Sequence, residues 1–304
     1  MGRLGMIWVV GSKGMLGTEL CRQLGAIGMD FVGTDREVDF LDAKALASFA
    51  AGPSFGGRAI GWIVNCAAYT AVDKAEDEVE LCRRLNVEGP ANLARLASAS
   101  GASMLHISTD YVFDGNARRP YFEDDPIDPT GVYGRTKAEG EEAVRASCER
   151  SVILRTAWLY GRDGPNFVFT MLRLMRQKDF IGVVADQRGT PTWAVDLAAA
   201  ILTILGSEAP RCGVYHYTDG GETTWRDFAL EIGRLALERG LLGRECRVDA
   251  LDTAQYPTKA KRPAYSVLSK DKIAADYGVS VPDWRESLKT FISSLGEAER
   301  PRFS

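Results

Sequence analysis

Tyr133 and Lys137 stand four residues apart in "YGRTKAEGE", and a run of hydroxyls and a carboxylate, Ser108, Thr109, Asp110 and Tyr111, closes "MLHISTDY". On a helix, the tyrosine and the lysine share a face. A phenol that must give a proton near neutral pH starts from a pKa of about 10 and needs help. A lysine charge about 4 Å away, at an effective dielectric of about 20, contributes roughly 4 kcal/mol, enough to lower that pKa by up to about 3 units before desolvation takes part of it back. Such a pair is a general acid. Taken alone, Tyr-x-x-x-Lys is more often a surface helix pair; its place in the chain, after a glycine-rich turn and a polar-ended strand, gives it weight. Thr109 can hydrogen-bond a carbonyl or the tyrosine hydroxyl, and Tyr111 can reach a substrate. Ser108 and Asp110 either fix this loop or simply cap a turn.

The glycine-rich turn is "VVGSKGMLGTEL", in which Gly11, Gly14 and Gly17, with Lys13, Met15 and Leu16 between them, link a strand to a helix. Glycine allows a tight turn and close approach to a pyrophosphate, and the free N–H groups of the helix start attract its charge. The spacing is one residue off the commoner dinucleotide fingerprint, and three glycines alone would fit any loop needing positive φ. Asp35, at the end of the next strand in "GTDRE", is placed to accept hydrogen bonds from an adenosine ribose, which favours NADH. Arg36 and Lys13 offer cations to a 2′-phosphate, so NADPH is equally open. "NCAAYT" ends a third strand in Ala67, Ala68 and Tyr69; the small residues let a ligand, or a tightly packed helix, lie close.

Elements able to position these residues alternate in the first half. "MIWVV" (6 to 10), "DFVGT" (30 to 34), "WIVNCA" (62 to 67), "MLHIST" (104 to 109) and "VILRT" (152 to 156) read as strands. Helical patterns 17 to 28, 91 to 101 and 137 to 148 separate them, which predicts an α/β fold, a doubly wound parallel sheet. Ligands to such a sheet bind beyond the carboxyl ends of its strands, which explains why a buried strand ends on Thr109 and its neighbours. Residues 1–160 are expected to form a dinucleotide-binding domain, with 192–206 returning to cover it. Residues 161–304 would mainly build a smaller substrate lobe.

With 304 residues, 45% apolar and 26% charged, the chain can bury a sizeable core. A net charge of -4 leaves no broad basic field, so nucleic acid is not expected as a partner. Six scattered cysteines without paired spacing, and only two histidines, give no metal-ligand pattern and read as buried thiols in a reducing cytoplasm. His106 and His216 read as packed or hydrogen-bonded strand residues. The start "MGRLGMIWVV" has no leader pattern and no run approaches a membrane span, so neither targeting nor membrane is expected.

Together these motifs resemble the extended short-chain dehydrogenase/reductases, with their Rossmann-like domain, and within them the dTDP-4-dehydrorhamnose reductase family. The resemblance runs over nearly the whole chain, through "GSKGMLGTEL", "VNCAAYTAVDKAEDE", "STDYVFDG", "VYGRTKAEGE", "LRTAWLYG", "NFVFTMLRL", "DQRGTPT", "YHYTDGGETTW" and "YPTKAKRP". It implies a catalytic triad of Thr109, Tyr133 and Lys137, with Lys137 also on the nicotinamide ribose. Trp158 and Arg262 would lie near a dTDP-sugar, beside Thr109, Asp110 and Tyr111. On the residues alone, Trp158 equally closes a core and Arg262 equally is a solvated loop charge. The implied reaction is reduction of the C4 ketone of dTDP-4-dehydro-L-rhamnose by NADPH or NADH, with Tyr133 as proton donor.

Two departures carry information. Related 4,6-dehydratases carry a glutamate where Tyr111 stands, so dehydration is disfavoured. Some reductases of the family join a homodimer through glutamate-held Mg²⁺; Glu19 matches one position but Val195 occupies another, so no metal is expected and assembly as a homodimer stays open. A reductase or epimerase for another nucleotide sugar shares every motif outside the substrate lobe. A regulatory subunit resembling methionine adenosyltransferase β shares the fold, and the intact Thr109, Tyr133 and Lys137 argue against it.

Overall fold

The computed structural model describes residues 5–296, so the first four residues of "MGRLGMIWVV" lie outside it. Strand β1 (Met6–Val10) is buried along its whole length, as an unbroken apolar run must be. It lies between β2 (Phe31–Thr34) and β3 (Ile60–Asn65), and the sheet continues through β4 (Ser103–Thr109), β5 (Ser151–Thr156) and the strand Gly213–His216. All neighbours pair parallel. The expected α/β architecture is therefore present, and the chain order reverses across β1, which opens a crevice beyond the carboxyl ends of β1 and β3.

Helices cover both faces. On one, Leu16, Leu20 and Leu24 of α1 (Met15–Ala26) share a core with Leu197, Ile201 and Ile204 of the helix Ala194–Leu205. On the other, Leu93, Ala97 and Val144 from helices Gly89–Ser100 and Val132–Ser147 pack on Trp8, Ile63, Met104 and Ile153. The strand Gly213–His216 closes one edge of the sheet, and the helix Asp271–Tyr277 packs there, with Tyr215 and Ile273 in one core.

A second core lies among helices Phe167–Gln177, Trp225–Glu238 and Trp284–Ser294. The middle helix buries Phe228, Ala229, Ile232, Leu235 and Ala236, the spacing of one helical stripe. Each large apolar side chain so covered contributes about 1.5–3 kcal/mol. A parallel pair, Phe180–Val184 with Arg247–Leu251, flanks this core.

Three of the six cysteines depart from the expected burial. Cys82, Cys148 and Cys246 are buried, Cys21 and Cys66 half-buried, but Cys212 is exposed because it precedes the edge strand Gly213–His216. Among the described residues no helix is long and apolar enough to cross a membrane.

Candidate active site

At the carboxyl end of β1 the chain turns at Gly11, whose φ is +80°, and doubles back so closely that a Cβ on Gly17 would sit 2.1 Å from the Gly11 carbonyl oxygen. Only glycine fits there. Helix α1 is preceded by Gly14, which has no side chain to cap it, and this leaves its first N–H groups for an anion. Leu16 is buried in the sheet core, and Met15 reaches toward Gly161.

The end of β2 supplies the next group. Asp35 accepts the Lys13 N–H at 3.2 Å and the Arg36 N–H at 2.9 Å, so its carboxylate is oriented by the glycine turn. Lys13 Nζ, exposed, pairs with Glu37 at 3.1 Å. Arg36 is exposed. Beyond β3, Ala67 and Ala68 are half-buried and Tyr69 is buried. Tyr69 is held as structure: its hydroxyl donates to Glu78 at 2.7 Å, its N–H to Asn86 at 2.8 Å.

The helix Val132–Ser147 runs against β4 and brings Tyr133 and Lys137 beside Thr109. The Thr109 hydroxyl donates to Asp110 Oδ1 at 2.9 Å and accepts the Tyr111 N–H at 3.2 Å. Thr109 lies beside Tyr133, and its hydroxyl proton is engaged by Asp110. The tyrosine departs from the expected lowering of its pKa. Burial pushes the phenol above its ordinary value, and Thr109 opposes the shift only in part. The physical reason is where the lysine points: Nζ donates to the Ile107 carbonyl at 2.6 Å and lies 3.4 Å from His106 Nε2. Burial brings Lys137 itself down to about 8, against the pull of the Glu141 carboxylate.

Asp110, 2% exposed, is pushed up to about 6 by burial, although hydrogen bonds from its neighbours work the other way. Tyr111 meets the Tyr133 ring edge to face at 5.5 Å, and burial raises it to about 12. Its hydroxyl accepts from Arg262 Nη1 at 3.2 Å, while Nη2 pairs with Asp73 at 2.5 Å. Below this floor, Ser108 donates to Glu141 at 2.5 Å, and Glu141 pairs with Arg155 at 2.7 Å, both nearly fully buried. Ser108 thus anchors the strand end to the helix.

Thr109, Asp110, Tyr111, Tyr133, Lys137 and Arg262 form one cluster. Trp158, after β5, is the one non-glycine residue with positive φ among the described residues, at +48°. Its ring stacks on Trp225 at 3.5 Å, so one face belongs to the second core. Glu19 is taken up within the chain by Arg22 and Gln23, and Gln23 also donates to the Val195 carbonyl. Asn65 and Asp73 were not expected as polar partners, although each stands in a motif quoted above.

Fold and site together define a reductase of the short-chain dehydrogenase class. The chain belongs to the family described as the RmlD substrate binding domain, which matches residues 5–297. It is 42% identical over 303 residues to a dTDP-4-dehydrorhamnose reductase of Streptomyces griseus, covering 97% of this chain and 96% of that one. A probable dTDP-4,6-dihydroxy-2-methyloxan-3-one 4-ketoreductase of Streptomyces antibioticus is 41% identical, with 97% and 98% covered. Among solved structures, the dTDP-4-dehydrorhamnose reductase of Bacillus anthracis in complex with NADP superposes with a TM-score of 0.88 at 32% identity, covering 96% of this chain and 99% of that one.

Proposed function

We propose that this protein reduces the C4 ketone of dTDP-4-dehydro-β-L-rhamnose to dTDP-L-rhamnose with NADPH or NADH. The observation that carries the reading is Thr109 at the end of β4 beside Tyr133, with the buried Lys137 one helical turn further on. The relatives' names supply the sugar nucleotide.

The residues present fit a dinucleotide. The glycine turn, with no room for a Cβ at Gly17, and the uncapped start of α1 would hold the pyrophosphate, Asp35 the adenosine ribose, and Ala67 and Ala68 the surface alongside. When bound, the dihydronicotinamide supplies the hydride. The chain supplies the proton. Because burial raises the Tyr133 pKa, its hydroxyl stays protonated throughout the neutral range and is ready for the alkoxide that forms at C4. Thr109, beside that hydroxyl, can turn its own proton from Asp110 to the substrate oxygen. Lys137, a cation near pH 7 with a value of about 8, stands one helical turn from Tyr133 and would hold the nicotinamide ribose. Tyr111, hydrogen-bonded to Arg262, offers no carboxylate for water elimination, which supports plain reduction.

In this reading residues 1–160 with 192–206 hold the cofactor, and the core around Phe169, Phe228 and Trp284 carries the dTDP-sugar half. We place the protein in the cytoplasm, a reading supported by its six free thiols. A second dTDP-linked ketosugar is favoured by the Streptomyces antibioticus relative and its name. The Tyr133→Phe variant tests the mechanism: NADPH affinity should hold within about twofold while turnover falls about 10²- to 10⁴-fold. Loss of cofactor binding in that variant would instead make Tyr133 a structural residue.

A further inference from the structure

A buried polar chain runs beneath the active site, from the cofactor crevice to the lysine. Asn65, the last residue of β3, accepts the Ala67 N–H on Oδ1 at 3.0 Å. Its Nδ2 lies 3.0 Å from Nδ1 of His106, the residue paired with it across β3 and β4. On its other side His106 places Nε2 3.4 Å from Lys137 Nζ, and Lys137 donates to the Ile107 carbonyl at 2.6 Å. Asn65 and His106 are fully buried and Lys137 is 2% exposed.

The chain fixes a tautomer. The Asn65 oxygen is turned to Ala67, so its amide nitrogen, which only donates, faces the imidazole. His106 Nδ1 is therefore the acceptor, and the neutral ring carries its proton on Nε2. An imidazolium would oppose donor to donor at both nitrogens. Burial first, and the Lys137 charge second, hold His106 well below its ordinary 6.5.

The Nε2 proton points at Lys137. An amine has a lone pair to accept it, whereas an ammonium offers only donors. The groups facing Lys137 are His106 and the Ile107 carbonyl from β4, Glu141 one turn along its own helix, and Cys82 from the helix Val79–Arg83. Glu141 and the carbonyl favour the ammonium, but Glu141 is already shared with Arg155 and Ser108. His106 works in the opposite direction.

We propose that His106, locked by Asn65 in its Nε2–H form, is a positioning residue for Lys137 that sets where the lysine nitrogen sits and how readily it releases its proton. The proposal rests on Lys137 serving the reduction proposed above. It gives a role to a histidine that touches neither substrate nor cofactor crevice, and it couples Ala67, at that crevice, to the lysine.

With only two histidines in the chain, the test is spectroscopic first. In the full-length protein labelled with ¹⁵N-histidine, assigned through His106→Asn or His216→Asn variants, the His106 ring is expected to stay neutral with Nε2–H from about pH 5.5 to about 9. An imidazolium in that range, or an Nδ1–H ring, would overturn the proposal. The kinetic arm uses the alkaline limb of kcat/KM. His106→Asn keeps an amide for Asn65 and withdraws the N–H from Lys137, so the limb should rise by at least about half a unit. His106→Gln, whose amide reaches Lys137, should keep the limb within about 0.2 unit of wild type. The same limb in all three proteins would also overturn it. A neutral Nε2–H ring in a wild-type protein that does not turn over would remove the premise in Lys137 and show that the reduction reading had failed, not the histidine geometry.

Discussion

Asp110→Asn keeps the shape of the side chain beside Thr109 and removes a charge that the fold holds in an unfavourable place. The side chain is 2% exposed, and its Oδ2 has no hydrogen-bond partner among the described residues. Burial raises the carboxyl from 3.8 to about 6. The native state therefore binds this proton more tightly than the unfolded chain does. Below pH 3.8 the ionisation penalty is absent; it grows as pH rises to about 6 and is constant above. At about 1.4 kcal/mol per unit, the two-unit gap amounts to about 3 kcal/mol at pH 7. Asparagine carries no such penalty. In reversible urea unfolding, the variant should match the wild type near pH 4 and exceed it by about 3 kcal/mol at pH 7. Turnover should fall about ten- to a hundredfold, because the amide can present N–H to Thr109 and reverse its hydroxyl. An advantage independent of pH, or none at pH 7, would refute the reasoning.

Glu141→Ala leaves Arg155 buried without its partner and should cost about 3–5 kcal/mol in unfolding experiments, whereas Glu141→Leu with Arg155→Met should recover most of that. Arg262→Ala removes the link between Tyr111 and Asp73; the expected result is a KM for the dTDP-sugar about tenfold higher, a loss of about 1.4 kcal/mol, with kcat within about twofold. Asp35→Asn should shift the ratio of kcat/KM for NADPH over NADH upward by about tenfold, since the carboxylate beside the glycine turn is the group a ribose hydroxyl prefers and a 2′-phosphate does not.

The strands were legible because each is a short β-branched run in a parallel sheet buried on both faces. The helix carrying Tyr133 and Lys137 was legible from spacing, although it begins at Val132, five residues before the apolar pattern suggested. What escaped the sequence depends on contacts between distant segments. The strand Gly213–His216 follows from pairing with β5 rather than from its own four residues. The direction of the Tyr133 shift depends on whether Lys137 turns to the phenol or to the Ile107 carbonyl, a choice made by packing on β4. Asp73 meets Arg262 across 189 positions, beyond any local signal. His106 was legible as a hydrogen-bonded strand residue, but its partner on the lysine side was not.

The most direct test of the central claim is to follow deuterium from [4-²H]NADPH into the product formed from dTDP-4-dehydro-β-L-rhamnose, generated in place by a 3,5-epimerase. The reductase account predicts dTDP-L-rhamnose with one deuterium, at C4, and loss of that label in Tyr133→Phe. Cofactor that binds but leaves the sugar unlabelled, with both dTDP-ketosugars offered, would contradict it.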